Sequence, residues 1–188
     1  MVTYISLLKG INVGGNNLIK MADLRKSYEN LGFQNIRTYL QSGNVIYTAK
    51  ETELKELEHE ISLQIKRDFG FDILVIALTP DKLVQVIHKN PFLKKPDIEP
   101  DFLYVSFLST NPDLSEKKAI EKKLQNREEI AFTDIAFYLY CPEGYGKTKL
   151  TNSILEKTLK VGATTRNWKT TNELLKIARE ISSEWNAN

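Results

Sequence analysis

The sequence predicts an α+β protein: an N-terminal ferredoxin-like βαββαβ unit, then a second α+β unit that closes in C-terminal helices. Three observations carry this. Short β-branched and aromatic runs alternate with amphipathic helical stripes. Two early strands are joined by a turn too short for a crossover, which requires an antiparallel hairpin. A proline-bearing stretch near residues 90–100 separates two such series. At 188 residues the chain has the length of one large or two small domains, and the boundary is placed between residues 1–79 and 80–188.

Residues 3–9 are β-branched and aromatic and run into a glycine- and asparagine-rich loop over 10–17, the pattern of a strand followed by a loop. Met21, Leu24, Tyr28 and Leu31 form a helical stripe that stops at Gly32, the expected C-cap position. Residues 36–40 and 45–48 are β-rich and flank Gln41-Ser42-Gly43-Asn44, whose Ser-Gly pair suits a tight reversal. Thr48 and Glu51 have capping-box spacing ahead of a helix carrying Leu54, Leu57, Ile61 and Ile65 and ending at Gly70. Residues 71–78 are almost wholly apolar and too few for a typical helix, so they read as a buried strand. The order is βαββαβ, the split βαβ arrangement. Its central hairpin argues against a dinucleotide-binding fold, whose successive strands are parallel.

Thr79-Pro80 is a cap followed by a first-turn proline, opening a helix with Leu83, Val84 and Ile87 on its apolar side. The stretch from Pro91 to Pro100 is expected to lie outside any helix or strand. Residues 102–108 then read as a strand, Ser115 as the cap of a lysine- and glutamate-rich helix, 130–133 and 135–141 as strands, and 150–159 as a helix. The last helix is expected to start after Thr170, with Glu173 completing a capping box and Leu174, Leu175, Ile177, Ala178, Ile181 and Trp185 on its apolar face, docked across the sheet.

Composition excludes several classes. Hydrophobic residues make up 41% and charged residues 27%, which rules out a chain too polar to fold. Cys141 is the sole cysteine, so no internal disulfide forms, and the segment MVTYISLLKG lacks the basic lead of a secretory signal; a reducing cytoplasm is the expected location. No apolar run approaches the roughly 20 residues that cross a bilayer, so no membrane association is expected. A net charge of +2 gives too weak an overall field to hold nucleic acid, which leaves only a local basic face for that purpose.

Three stretches have the makings of a ligand site. Gly10-Ile11-Asn12-Val13-Gly14-Gly15 sits between a strand and a helix, where backbone amides can cradle an anion; its spacing matches no nucleotide motif, and a tight glycine-permitted turn is the favoured explanation. Cys141-Pro142-Glu143-Gly144-Tyr145-Gly146-Lys147-Thr148-Lys149 lacks the first glycine of a P-loop, yet places Lys147, Lys149 and the Thr148 hydroxyl near a helix start; the plain alternative is that Thr148 caps the helix. Thr164-Thr165-Arg166-Asn167-Trp168-Lys169 reads as a loop combining a guanidinium with a large aromatic, able to pair with phosphate and stack, or else to plug the core through Trp168. His59 and His88 lack companions at metal-ligand spacing, Cys141 has no activating partner, and no nucleophile elbow or paired-carboxylate motif occurs. Neither metal nor cofactor is expected.

Leu7-Leu8-Lys9-Gly10-Ile11-Asn12-Val13-Gly14-Gly15, Thr38-Tyr39-Leu40-Gln41-Ser42-Gly43-Asn44-Val45, Pro142-Glu143-Gly144-Tyr145-Gly146-Lys147-Thr148-Lys149-Leu150 and Thr164-Thr165-Arg166-Asn167-Trp168, with Asn90-Pro91-Phe92 between them, resemble the domain of unknown function (DUF) 1697 family. The resemblance implies a bacterial cytosolic α+β protein with no established activity, and it supplies no catalytic residues. Where that family usually carries arginine before Gly-Ile-Asn, this chain has Lys9, a point charge in place of a planar fork. The expectation is a binder of an anionic small molecule or nucleotide, with Lys9, Asn12, Gly14, Gly15, Lys147, Thr148, Lys149, Arg166 and Trp168 in a cleft between the halves. Two alternatives stand beside it: a single-stranded nucleic-acid binder through a sheet bearing Tyr4, Tyr39 and Tyr47, and a non-catalytic protein-interaction role.

Overall fold

The computed structural model describes residues 1–134 and 136–186, with the backbone alone at residues 185 and 186. The chain divides into two compact units, Met1–Val84 joined by the chain from Glu173 onward, and Gln85–Asn172.

In the first unit the order is β1 (Val2–Leu8), α1 (Met21–Asn30), β2 (Gln34–Tyr39), β3 (Asn44–Ala49), α2 (Leu54–Phe69) and β4 (Val75–Leu78). The sheet order is β2-β3-β1-β4 and every neighbouring pair is antiparallel, the ferredoxin-like topology expected from the sequence. Alternation along the strands sets the two faces. Tyr4 and Leu8 of β1 and Val45, Tyr47 and Ala49 of β3 belong to a core shared with Leu24 and Tyr28 of α1 and Leu57, Ile61 and Ile65 of α2. The opposite face, with Thr3, Ile5, Leu7, Ile46 and Thr48, is buried as well.

After α3 (Pro80–His88), the second unit repeats the plan with β5 (Leu103–Leu108), α4 (Lys117–Glu121), β6 (Glu129–Phe132), β7 (Ala136–Tyr140), α5 (Asn152–Leu159) and β8 (Ala163–Asn167). Its sheet order, β6-β7-β5-β8, matches that of the first unit strand for strand, again antiparallel throughout. Its core gathers Ile120 of α4, Phe137 and Leu139 of β7, and Leu155 and Leu159 of α5. The final helix, α6 (Trp168–Asn186), starts within this unit, and its later residues belong to the first. There Ser182 donates to Thr3 Oγ1 at 2.9 Å, and Arg37 of β2 donates to Glu180 at 3.1 Å and to Glu184 at 2.8 Å. Trp185, expected on the apolar face, lies with its side chain outside the described residues, as does Ile135 ahead of β7.

The hairpin over Gln41 to Asn44 is antiparallel, pairing Arg37 with Ile46 and Tyr39 with Asn44. Several expected caps move. Thr48 lies inside β3, where its Oγ1 donates to the Gln34 carbonyl at 3.2 Å, so it caps nothing, and Glu53 takes the N-cap position of α2. The strand expected from residue 71 shortens to β4. The proline stretch contains two 3-10 turns, Pro91–Lys94 and Pro100–Phe102, each opened by its proline, so it is not free of helical structure; Asn90 accepts from Phe92 N–H at 3.0 Å to cap the first. Asp113, rather than Ser115, caps the turn ahead of α4. α6 begins at Trp168, not after Thr170, because Asn167 Oδ1 accepts from Thr170 N–H at 2.7 Å and serves as its cap. No helix among the described residues is long and apolar enough to cross a membrane.

Candidate functional site

The first-unit loop is braced from within. Val13 pairs with Asn16 across Gly14 and Gly15, whose φ values of 58° and 79° make a two-residue turn with both centres left-handed. The glycines are therefore required by the turn itself. Asn12, also left-handed at φ 54°, donates both amide hydrogens, to the carbonyls of Ile19 and Gln41 at 2.9 Å each, while its Oδ1 accepts from Ile19 N–H at 2.8 Å. This side chain ties the loop to the β2–β3 turn and has no hydrogen left to offer an anion. Lys9, half-buried at the end of β1, donates its backbone N–H to Leu74 at 2.9 Å. Asn12→Ala is expected to lower the unfolding free energy by about 2 kcal/mol, since it strips three hydrogen bonds and leaves a side chain less tolerant of positive φ. Urea denaturation checks the loss, and faster hydrogen exchange at Ile19 N–H would identify its source.

In the second unit the stretch after β7 folds back before any helix starts. Gly144 N–H reaches Cys141 O at 2.9 Å, a short 3-10 turn covers Tyr145–Lys147, and α5 begins only at Asn152 with Thr151 as its cap, Oγ1 accepting from Ile154 N–H at 3.4 Å. Thr148 is therefore not the cap; it is buried, and its hydroxyl accepts from Leu150 N–H at 3.1 Å. Lys147 and Lys149 are exposed, and their side chains make no hydrogen bond or ion pair among the described residues. Cys141 is buried, and burial chiefly, with the Glu128 carboxylate adding to it, pushes its thiol up to about 12; it is an inert thiol at neutral pH.

The stretch 164–169 is not a loop. Ala163–Asn167 is the edge strand β8, paired with β5 through Arg166↔Val105 and Thr165↔Ser106. Arg166 is 7% exposed, donates through Nη1 to Thr164 Oγ1 at 2.8 Å and Thr165 O at 2.9 Å, and burial lowers its pKa to about 10. It braces the strand that carries it. Trp168, 9% exposed at the first turn of α6, has too little open face for a base to stack on.

A polar cluster invisible in the sequence links these pieces. Thr165 Oγ1 lies 2.6 Å from Asn152 Oδ1, 2.7 Å from Ser106 Oγ and 3.2 Å from the Tyr145 hydroxyl. One donor and two acceptor sites on Thr165 are thereby filled. The cluster holds the start of α5 against β8. Because Tyr104 pairs with Asn167 and Leu103 with Tyr140, the ends of β7 and β8 lie at one end of the sheet, and α5 and α6 both start there. Neither helix has an acidic residue in its first turn, and Lys169, exposed and unpaired among the described residues, sits in the first turn of α6. In the first unit the corresponding helix starts, those of α2 and α3, carry Glu56 and Asp81. Lys169 lies within a stretch the sequence singles out; its solitude is a tertiary fact.

Tyr4 and Tyr47 are 2% and 0% exposed, packed with Tyr28 and Phe33 under α1 and α2, so neither presents a ring for stacking bases. Among the described residues no group of three or more His, Cys, Asp or Glu is arranged to hold a metal ion.

A family model described as "Protein of unknown function (DUF1697)" matches residues 1–138. No curated protein matches the chain. Among solved structures the chain is similar to the conserved bacterial protein SP0830 from Streptococcus pneumoniae, with a TM-score of 0.73 at 23% sequence identity, covering 94% of this chain and 98% of that one. At that identity the likeness speaks to the fold alone.

Proposed function

The chain belongs to the DUF1697 family, and we propose that it binds a small phosphate-bearing anion, a nucleotide or a metabolite, at the end of the second-unit sheet where α5 and α6 begin. One observation supports this above the rest: Lys147 and Lys149 lie in the exposed approach to α5 and Lys169 lies in the first turn of α6, and neither helix carries an acid in its first turn. A helix N-terminus bears about half a positive charge, so flanking lysines are unfavourable there by a few tenths of a kcal/mol each unless an anion joins them. The same place in the first unit is acidic, which is the ordinary solution. Free amides at the helix starts supply directed donors and the lysines supply charge. Lys9, Asn12, Gly14 and Gly15 form no part of this reading, because their own bracing explains their loop.

A thermal-shift series with inorganic phosphate, nucleotides and sugar phosphates tests it. A true ligand at a hundredfold excess over its dissociation constant stabilises the fold by about 2.7 kcal/mol. The shift is expected to shrink with added salt and to fall in Lys147→Ala, Lys149→Ala and Lys169→Ala, all surface changes that leave folding intact. A ligand whose shift is the same in all three variants would sink the reading. The nucleic-acid alternative has a separate arm: tight, salt-sensitive binding of a single-stranded oligonucleotide would restore it despite the burial of Tyr4 and Tyr47.

A further inference from the structure

At the other edge of the second-unit sheet a cavity of about 650 Å³ lies between the proline stretch and the paired ends of β6 and β7. Three groups lining it are not accounted for by the fold. Tyr140 is 2% exposed, and its hydroxyl, buried, has no hydrogen-bond partner among the described residues. Arg127 and Asp97 are exposed, and among the described residues neither makes an ion pair or hydrogen bond. The other charges of the cavity are engaged: Lys95 pairs with Glu129, and Glu128 accepts from Gln125 N–H at 2.9 Å. Without any partner among the described residues are Arg127, Asp97 and the Tyr140 hydroxyl, beside Glu128, which is satisfied by a backbone N–H, and the apolar surfaces of Pro96 and Ile98.

We propose that this cavity binds a free α-amino acid with an apolar side chain. A carboxylate matches the planar fork of Arg127, and the Tyr140 hydroxyl is a donor that would otherwise stay unmade at the cost of its desolvation. The Asp97 carboxylate matches an ammonium group. A plain anion would leave Asp97 opposed to it and a plain cation would leave Arg127 so, whereas a zwitterion satisfies both. Pro96 and Ile98 receive the apolar side chain, in the usual manner of a pocket with few polar groups that fix orientation. The site is independent of the lysine-bearing end described above.

The test is ligand-observed NMR with each of the common amino acids, then titration of the best binder beside its N-acetyl and carboxamide derivatives, which remove the ammonium and the carboxylate in turn. Each derivative is expected to bind at least tenfold more weakly than the free amino acid. Arg127→Gln is expected to erase the preference for acid over amide while keeping the preference for amine over N-acetyl; Asp97→Asn is expected to do the reverse. Tyr140→Phe, which removes only an unpaired hydroxyl, is expected to fold with an unchanged or higher melting temperature and to bind several-fold more weakly. Lys147→Ala is expected to change none of this. No binding by any amino acid at millimolar concentration, or both preferences surviving in both charge variants, would overturn the proposal.

Discussion

Gly43→Ala is expected to lower stability by about 2–5 kcal/mol, the sum of left-handed strain and overpacking. Gly43 sits in the β2–β3 turn at φ +74°, and its backbone carbonyl accepts from Leu8 N–H at 2.8 Å. A methyl group there would meet Leu8 Cβ at 2.7 Å and Ile11 Cγ1 and Cδ1 at 2.8 Å each. Leu8 Cβ moves only with its strand, and Leu8 and Ile11 are both fully buried. Relief thus requires shifting β1 or the turn. Gly70→Ala is the matched control: its φ of +78° is nearly the same, but a Cβ there meets nothing within 4 Å, so only strain of about 1 kcal/mol is expected. Urea unfolding of the pair separates the two contributions, and equal losses would show that contact with Leu8 and Ile11 carries no weight.

The second large effect is alkaline unfolding. Burial first, and the neighbouring Tyr47 next, raise the pKa of Tyr28 well above the ordinary tyrosine value; burial likewise raises that of Tyr47, partly offset by its bond with Ser6. Burial pushes Tyr138 and Cys141 each up to about 12 and raises Tyr145. The folded state therefore holds protons that the unfolded chain releases near pH 10 for tyrosine and near about 8.5 for cysteine. The stability these groups contribute is fully present below those unfolded values and is lost as the pH rises through the folded ones. Tyr28 and Tyr47 together set a slope of about 2.7 kcal/mol per pH unit above roughly pH 10. Against a typical total of about 5–15 kcal/mol, unfolding is expected as one cooperative step between about pH 11 and 12. Tyrosinate absorbance should appear in that step together with loss of circular dichroism. Tyr28→Phe, whose hydroxyl has no hydrogen-bond partner among the described residues, should flatten the slope by one proton at little cost at neutral pH. Gradual tyrosinate formation ahead of unfolding would contradict the assignment.

The topology of the first unit is legible in sequence because its signals are local. Gly70 ends a helix in the left-handed region, and a short turn between two β-rich runs permits only an antiparallel pair. β8 is not legible in that way. Arg166 and Asn167 read as loop residues by composition, whereas Arg166 is buried on a strand through its hydrogen bonds to Thr164 and Thr165. Pairing with β5, sixty residues earlier in sequence by order of magnitude, overrides local preference. Caps misplace for a related reason. A capping-box pattern at Thr48 and Glu51 is real as spacing, but β3 claims Thr48 first. At the candidate site, Lys147 and Lys149 are visible as cations in sequence, while the cluster of Ser106, Asn152 and Tyr145 around Thr165 comes from three separate stretches and no local pattern announces it. Asn12 shows the converse, since a residue that looks like a ligand donor spends its whole amide on the loop around it.

Because α6 begins in the second unit and ends in the first, the order of synthesis and the order of completion are opposed. Domains usually fold from the N-terminus as they emerge from the ribosome. Here β1 through β4 leave first, yet the partners of Thr3 and Arg37 are Ser182, Glu180 and Glu184, which follow the whole of the second unit. The four strands of the first unit are thus made before the second unit, and the α6 residues that bond to Thr3 and Arg37 follow only after it. A chain stalled before Glu173 has a complete set of strands in both sheets but an incomplete first unit, and it is the natural target for a chaperone or protease that surveys exposed sheet faces.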